Sequence, residues 1–141
     1  MTSCTEMEKE AIRKEVKDQF NRLVFAINQL DAGAWSEYYS KDGFLSAIVA
    51  TDYFATRSAW VEVITNYFST RERQHLEPVD VRVAPLTPDL ALLTSEEKTE
   101  MWLKSGEHAK SKHVFTMVWK KEQSGWKILH CHESWMDEPV G

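Results

Sequence analysis

The stretch GWKILHCHESW, residues 125–135, sets His130 and His132 two positions apart in a run that reads as a β-strand. Alternate strand residues share a face, so both imidazoles point the same way. Such a pair can do four things. It can satisfy a sheet rim through hydrogen bonds, or line a pocket and touch a ligand. It can transfer protons, because imidazole titrates near neutral pH. With His113 it could also chelate zinc. No carboxylate or cysteine of fixed position completes such a shell, so the sequence assigns no metal and no cofactor. The Glu96-Glu97 pair adds a carboxylate to each face of a neighbouring strand. Whichever points inward is a candidate base or a partner for His113 or His132.

The elements that position these groups follow from periodicity. From about Glu8, Ile12, Val16, Phe20, Leu23, Val24, Ile27 and Leu30 recur at helical spacing. Asp31 reads as the N-cap of a short helix over AGAWSEYYS, and Thr56 as the N-cap of a third helix carrying Trp60, Val63, Ile64, Tyr67 and Phe68 on one side. FLSAIVA between them reads as a short strand, TDYFA as a loop, and RERQH (71–75) as a solvated helix end whose cations suit the dipole. The second half changes period. VDVRV alternates, with Val79, Val81 and Val83 on one face. A turn is predicted over Pro85–Asp89. LALLTSEEKTEMWL and AKSKHVFTMVWKK form a hairpin across Ser105-Gly106, and WKILHCHESW follows EQSG. Helices first and strands after predict an α+β fold, with three N-terminal helices on an antiparallel sheet.

Regular pairing across EQSG sets Lys121 opposite Trp126. It then predicts Trp119 opposite Ile128, Met117 opposite His130, Phe115 opposite His132, and His113 opposite Ser134. One face would grade from Trp126, Ile128, Trp119, Met117 and Phe115 to the three histidines and Ser134. That face is placed inward, as a cavity wall with a polar rim. The other would carry Val114, Val118, Leu129, Cys131 and Trp135 among Lys112, Lys120, Lys127 and Glu133, and is a candidate for a partner subunit. A slip of one residue would exchange the two faces.

This order of elements, with DAGAWSEYYSKDGFL leading into the first strand, resembles the nuclear-transport-factor-2-like superfamily over nearly the whole chain. The terminal pattern Trp126, His130, His132, Ser134 is similar to the association domain of calcium/calmodulin-dependent protein kinase II and to SnoaL-like bacterial domains. The resemblance implies a curved sheet wrapped as a cone around the helices. It implies a cavity taking a small, mostly apolar molecule, and a homodimer through the convex sheet face at Val114, Val118, Leu129 and Trp135. Its members include isomerases, cyclases, dehydratases, epoxide hydrolases and pure assembly modules, so fold alone does not decide function. The isomerases would carry a carboxylate base near FLSAIV, where Ser46 is the one polar residue. The paired carboxylates and arginine of an epoxide hydrolase are not visible in the sequence.

The expected function is therefore a SnoaL-like domain binding a small, mostly apolar molecule. The alternatives are an association module without catalysis, or an acid/base isomerase, cyclase or dehydratase. If it is an enzyme, His132 would act with His113, assisted by Glu97 or Tyr38. Tyr38, Trp60, Phe115, Met117, Trp119, His130 and Ser134 are the candidate ligand contacts. The bulk properties agree with this. The 141 residues fit one domain over 1–141, with residues 1–7 frayed. A formal charge of −5 without a basic run argues against nucleic acid, and no apolar run approaches membrane-spanning length. Cys4 and Cys131 are far apart, a bridge is not expected, and free thiols suit a reducing cytoplasm. MTSCTEMEKEAIRKE shows no signal-peptide pattern.

Overall fold

The computed structural model describes residues 4–140. Helix α1 (Glu6–Asn28) opens with a capping box: Glu8 N donates to Thr5 Oγ1 at 3.1 Å, and Thr5 N donates to Glu8 Oε1 at 3.2 Å. Of the stretch expected to fray, residues 1–7, Thr5 to Met7 form this cap and the start of the first turn, and residues 1–3 lie outside the described residues. The buried stripe Ile12, Val16, Phe20, Leu23, Val24 and Ile27 repeats at three and four residues, so one side of the helix leaves water. Leu30 then turns the chain with a positive φ of 57°, and Asp31 caps α2 (Ala32–Ser36) by accepting from Ala34 N at 3.0 Å.

Strands β1 (Ser46–Val49) and β2 (Asp52–Phe54) form a small antiparallel pair; β2 replaces part of the expected loop. Helix α3 (Arg57–Ser69) starts at Thr56, whose hydroxyl accepts from Ala59 N at 3.2 Å. Four long strands follow: β3 (Arg71–Thr87), β4 (Leu90–Leu103), β5 (His108–Glu122) and β6 (Gly125–Glu138). The six-stranded sheet has the order β2-β1-β6-β5-β4-β3 and is antiparallel except where β1 pairs parallel to β6.

RERQH is a correction. It opens β3 rather than ending α3, because Arg71–His75 pair with Leu103–Glu100 and Gln74 is buried. Its amide donates to Ile27 O at 2.6 Å, tying β3 to the end of α1. β3 then departs from strict alternation. A register shift between Pro78 and Asp80 leaves Val79 unpaired and 55 % exposed, while Val83 stays in the core at 8 %. Proline has no N–H for the ladder, so a bulge on this edge strand accommodates it.

The register shift with the largest consequence lies in β6. Lys121 pairs with Trp126 and Trp119 with Ile128, as the turn predicts, but Val118 then pairs with His130. Leu129 is the extra residue. Beyond it Met117 opposes Cys131, Phe115 opposes Glu133 and His113 opposes Trp135. His130, His132 and Ser134 therefore lie on the outer face, with Val118, Thr116 and Val114. Cys131, Glu133 and Trp135 take the inner one. The bulge falls where β6 changes neighbours. Ile128 exchanges backbone hydrogen bonds with Tyr38 O (2.8 Å) and Ser40 N (2.9 Å), whereas β1 begins its ladder opposite His130. Bulges bend and twist a strand, and the sheet curves around α1 and α3. Phe20 meets Phe115 edge-on at 6.1 Å across that interior.

Candidate functional site

Between α3, the start of β3 and the inner faces of β4, β5 and β6 lies a cavity of about 310 Å³. One wall is aromatic. Trp35, Tyr39, Trp60 and Phe68 pack with ring centroids 4.7 to 6.2 Å apart. Their local placement follows from the caps. Asp31 sets α2, and Arg57, at the start of α3, donates from Nη2 to Ser36 O at 2.8 Å. A basic residue at a helix N-terminus is unfavourable to its own dipole, but here it satisfies the open carbonyl end of α2.

The opposite wall carries the polar groups. Glu97 is fully buried and faces inward; Glu96 faces outward and pairs with Lys112 at 3.2 Å. Glu97 Oε1 accepts from Ser95 Oγ, and its Oε2 lies 3.4 Å from His113 Nδ1. The other imidazole nitrogen, Nε2, lies 3.7 Å from Glu133 Oε2. Phe115 meets the His113 ring edge-on at 4.5 Å, and Trp135 lies nearly parallel to it at 6.3 Å. A single imidazole is thus held between two carboxylates and two aromatic rings. Of the three, His113 and Glu133 line the cavity and Glu97 lies behind them.

The electrostatics separate these groups. Burial pushes the Glu133 carboxyl above its ordinary value, with Glu97 pushing the same way; His113 and Arg71 oppose the shift. Glu133 therefore holds its proton to higher pH than an exposed carboxyl. Tyr39 is driven well above its ordinary value, chiefly by burial, and stays a neutral phenol. Burial likewise keeps Cys131 a thiol. Arg71, on the rim beside Tyr67, completes the set of cavity side chains that carry charge near Glu133.

Several placements differ from the sequence reading. His113, Trp60 and Phe115 do reach the cavity. His132 is exposed on the outer face, and His130 there lies 2.9 Å from Ser46 Oγ through its Nδ1. The bulge at Leu129 is the cause, and it takes Ser134 outward as well. It also separates His113 from His130 and His132, which removes the geometry for a zinc site of those three. Among the described residues no three His, Cys, Asp or Glu side chains converge as metal ligands. Met117 and Trp119 face inward but are fully buried in the core, outside the cavity lining. Tyr38 lines a separate groove on the helix surface with Asn21 and Phe25, and its neighbour Tyr39 is the cavity tyrosine. Trp135, expected on the convex face, lines the cavity. Two carboxylates, Glu97 and Glu133, flank His113, and Arg71 lines the same cavity without an ion pair to either. The only advance signal for Glu133 was that both faces of β6 carry apolar residues, so either could be the inner one.

A family model for the SnoaL-like domain matches residues 16–138. No curated protein matches the chain. Among solved structures, a proposed dehydratase of the NTF2-like family from Streptomyces avermitilis is 20% identical, with 91% of this chain and 96% of that one covered at a TM-score of 0.78. The hexachlorocyclohexane dehydrochlorinase LinA-type3 from Novosphingobium barchaimii LL02 is 10% identical, with 97% and 95% covered at a TM-score of 0.80. A proposed calcium/calmodulin dependent protein kinase II association domain from Xanthomonas campestris is 21% identical, with 89% and 88% covered at a TM-score of 0.73. At these identities the likeness is one of fold.

Proposed function

We propose that this chain, which belongs to the SnoaL-like domain family, binds a small, mostly apolar molecule in its cavity and transfers protons on it through His113 and Glu133. One observation carries the reading: a cavity imidazole whose two nitrogens each face a carboxylate, at 3.4 and 3.7 Å. Glu97, anchored by Ser95, is the positioning residue. It fixes the imidazole plane and favours a proton on Nδ1, which leaves Nε2 to exchange protons with Glu133 or a ligand. Glu133 can lend or take a proton in surroundings poor in water, where a carboxylate is more basic than in solution. Tyr39 offers a neutral hydrogen-bond donor from the aromatic wall. Abstraction of a proton next to an electron-withdrawing group, with return of a proton to an oxygen, is common to isomerases, cyclases and dehydratases. The roles expected for His130, His132 and Ser134 in ligand contact or catalysis are not retained in this proposal.

A generic reporter tests this without the natural substrate. Ring opening of 5-nitrobenzisoxazole needs only a positioned base in an apolar cavity. The wild-type chain is expected to accelerate it above buffer, Glu133→Gln and His113→Ala to lower the rate about 100-fold or more, and His132→Ala to leave it unchanged. No acceleration, or full activity in Glu133→Gln, would refute the proposal.

Self-association is a second proposed property, carried by the outer face. Val114 is 41 % exposed there beside Val118, with His132 and Ser134 opposite on β6. A homodimer through this face would exclude Trp135, which belongs to the cavity, and leave the cavity open to ligand.

A further inference from the structure

Arg71 has a bonding pattern that the proton-transfer reading does not use. It sits at the first residue of β3 and lines the cavity. Its Nη1 donates to Gln74 Oε1 at 2.5 Å, and Gln74 in turn donates to Ile27 O at 2.6 Å. The Tyr67 ring supports the guanidinium, 5.7 Å from its centroid to Cζ. The side chain is thus held in one orientation from two sides. Yet that one hydrogen bond is its only side-chain partner, and no carboxylate comes within 4.0 Å of it among the described residues. A guanidinium has five N–H donors and cannot shed its proton. The edge formed by Nε and Nη2 is the fork that matches a carboxylate, and it has no protein acceptor. An anionic ligand offers these open donors charged acceptors, a stronger match than water.

We infer that Arg71 anchors an anionic group, so that the cavity takes a small apolar carboxylic acid in its ionised form. This rests on the proposed reading of the cavity and names the ligand class for it. The apolar body would lie against Trp60 and Phe68 while the carboxylate meets the free guanidinium edge. Glu100, Glu107, Glu133 and Asp137 also line the cavity and oppose an anion when ionised, Glu133 being the one coupled to Arg71. Glu100 is hydrogen-bonded at 2.5 Å to His108 Nε2, which turns one of its oxygens away from a ligand. The contrast with Arg73 is instructive. Two residues on, it lies 3.8 Å over the Trp102 ring and is absent from the cavity lining.

Benzoate and benzamide share a ring and differ in charge, and both fit about 310 Å³. Their binding is to be measured by calorimetry and by tryptophan fluorescence on the full chain. Benzoate is expected to bind about tenfold or more tighter than benzamide. Arg71→Gln is expected to bring the two within about threefold, and Arg73→Gln to keep the preference. Arg71→Lys, which keeps the charge without the fork, should fall between them and provides the comparison if Arg71→Gln does not fold. Equal or tighter binding of benzamide by the wild type overturns the inference while leaving the cavity reading intact. Preference surviving in Arg71→Gln overturns it too. Binding of neither probe overturns both.

Discussion

Glu133→Gln offers a test that needs no ligand. The Glu133 side chain is 12 % exposed and faces His113, with Arg71 and the buried Glu97 also in its field. Burial is the largest influence on it and raises its folded-state pKa above the ordinary value of 4.5. Between the unfolded and folded pKa values the native state therefore binds the extra proton. Glu133's contribution to stability is then fully present below about pH 4.5 and is lost as the pH rises through the folded value. Where it is ionised the buried carboxylate opposes folding, and a neutral amide of the same shape does not. The variant should match the wild type near pH 4 and gain on it as pH rises. The slope is at most about 1.4 kcal/mol per pH unit. The gain by pH 7 should be on the order of 1 kcal/mol, or roughly 3–5 °C in Tm. Urea unfolding of both proteins at unit pH steps from 4 to 8, with equal m-values, measures this directly. Repeating the pair in a His113→Gln background removes a group that opposes the upward shift of Glu133 and should widen the gain. Parallel stability curves, or a variant that loses ground as pH rises, would refute the account of Glu133 as a buried, proton-retaining carboxyl.

Two further substitutions separate the core from the outer surface. Phe20 is fully buried and meets Phe115 edge-on, so Phe20→Ala should cost about 3–5 kcal/mol in urea unfolding. It would also enlarge the interior beneath the cavity wall. Val114→Asp places a charge on the proposed dimer face; sedimentation equilibrium should show a monomer with unchanged circular dichroism. A Val114→Asp chain that stays dimeric would move the interface elsewhere.

The long, strongly periodic elements were legible in the residues. The α1 stripe, the caps Asp31 and Thr56, and the span Leu90–Leu103 all stand where periodicity and capping chemistry place them. The start of β3 was not legible, because charge in RERQH suits a helix end as well as an exposed strand. The difference comes from Gln74 and Leu76, which alternate into the interior and bond or pack against the end of α1. Such a tertiary partner has no local signature. Glu97 against Glu96 was likewise open until the ladder set Glu97 opposite His113.

The site itself turned on a single extra residue. A pleated strand has period two, so a bulge at Leu129 exchanges every later residue between faces. Binary pattern could not exclude it, since Ile128 and Leu129, and then Cys131 and Trp135, give both faces apolar character. What decides the register is the change of neighbour along β6, from the Tyr38–Ser40 segment to β1. The exchange alters the chemistry, not only the map. A wall of His130, His132 and Ser134 would have presented several weakly coupled imidazoles. The wall that forms presents Cys131, Glu133 and Trp135. Its one imidazole, His113, is fixed by Glu97 from behind and coupled to Glu133 in front. A single histidine between two carboxylates holds its proton in a defined place, and the more buried carboxylate behind it has no route to a ligand except through the ring. That asymmetry is why Glu97 is assigned a positioning role and Glu133 the contact with the ligand, although both are buried acids within 4 Å of the same imidazole.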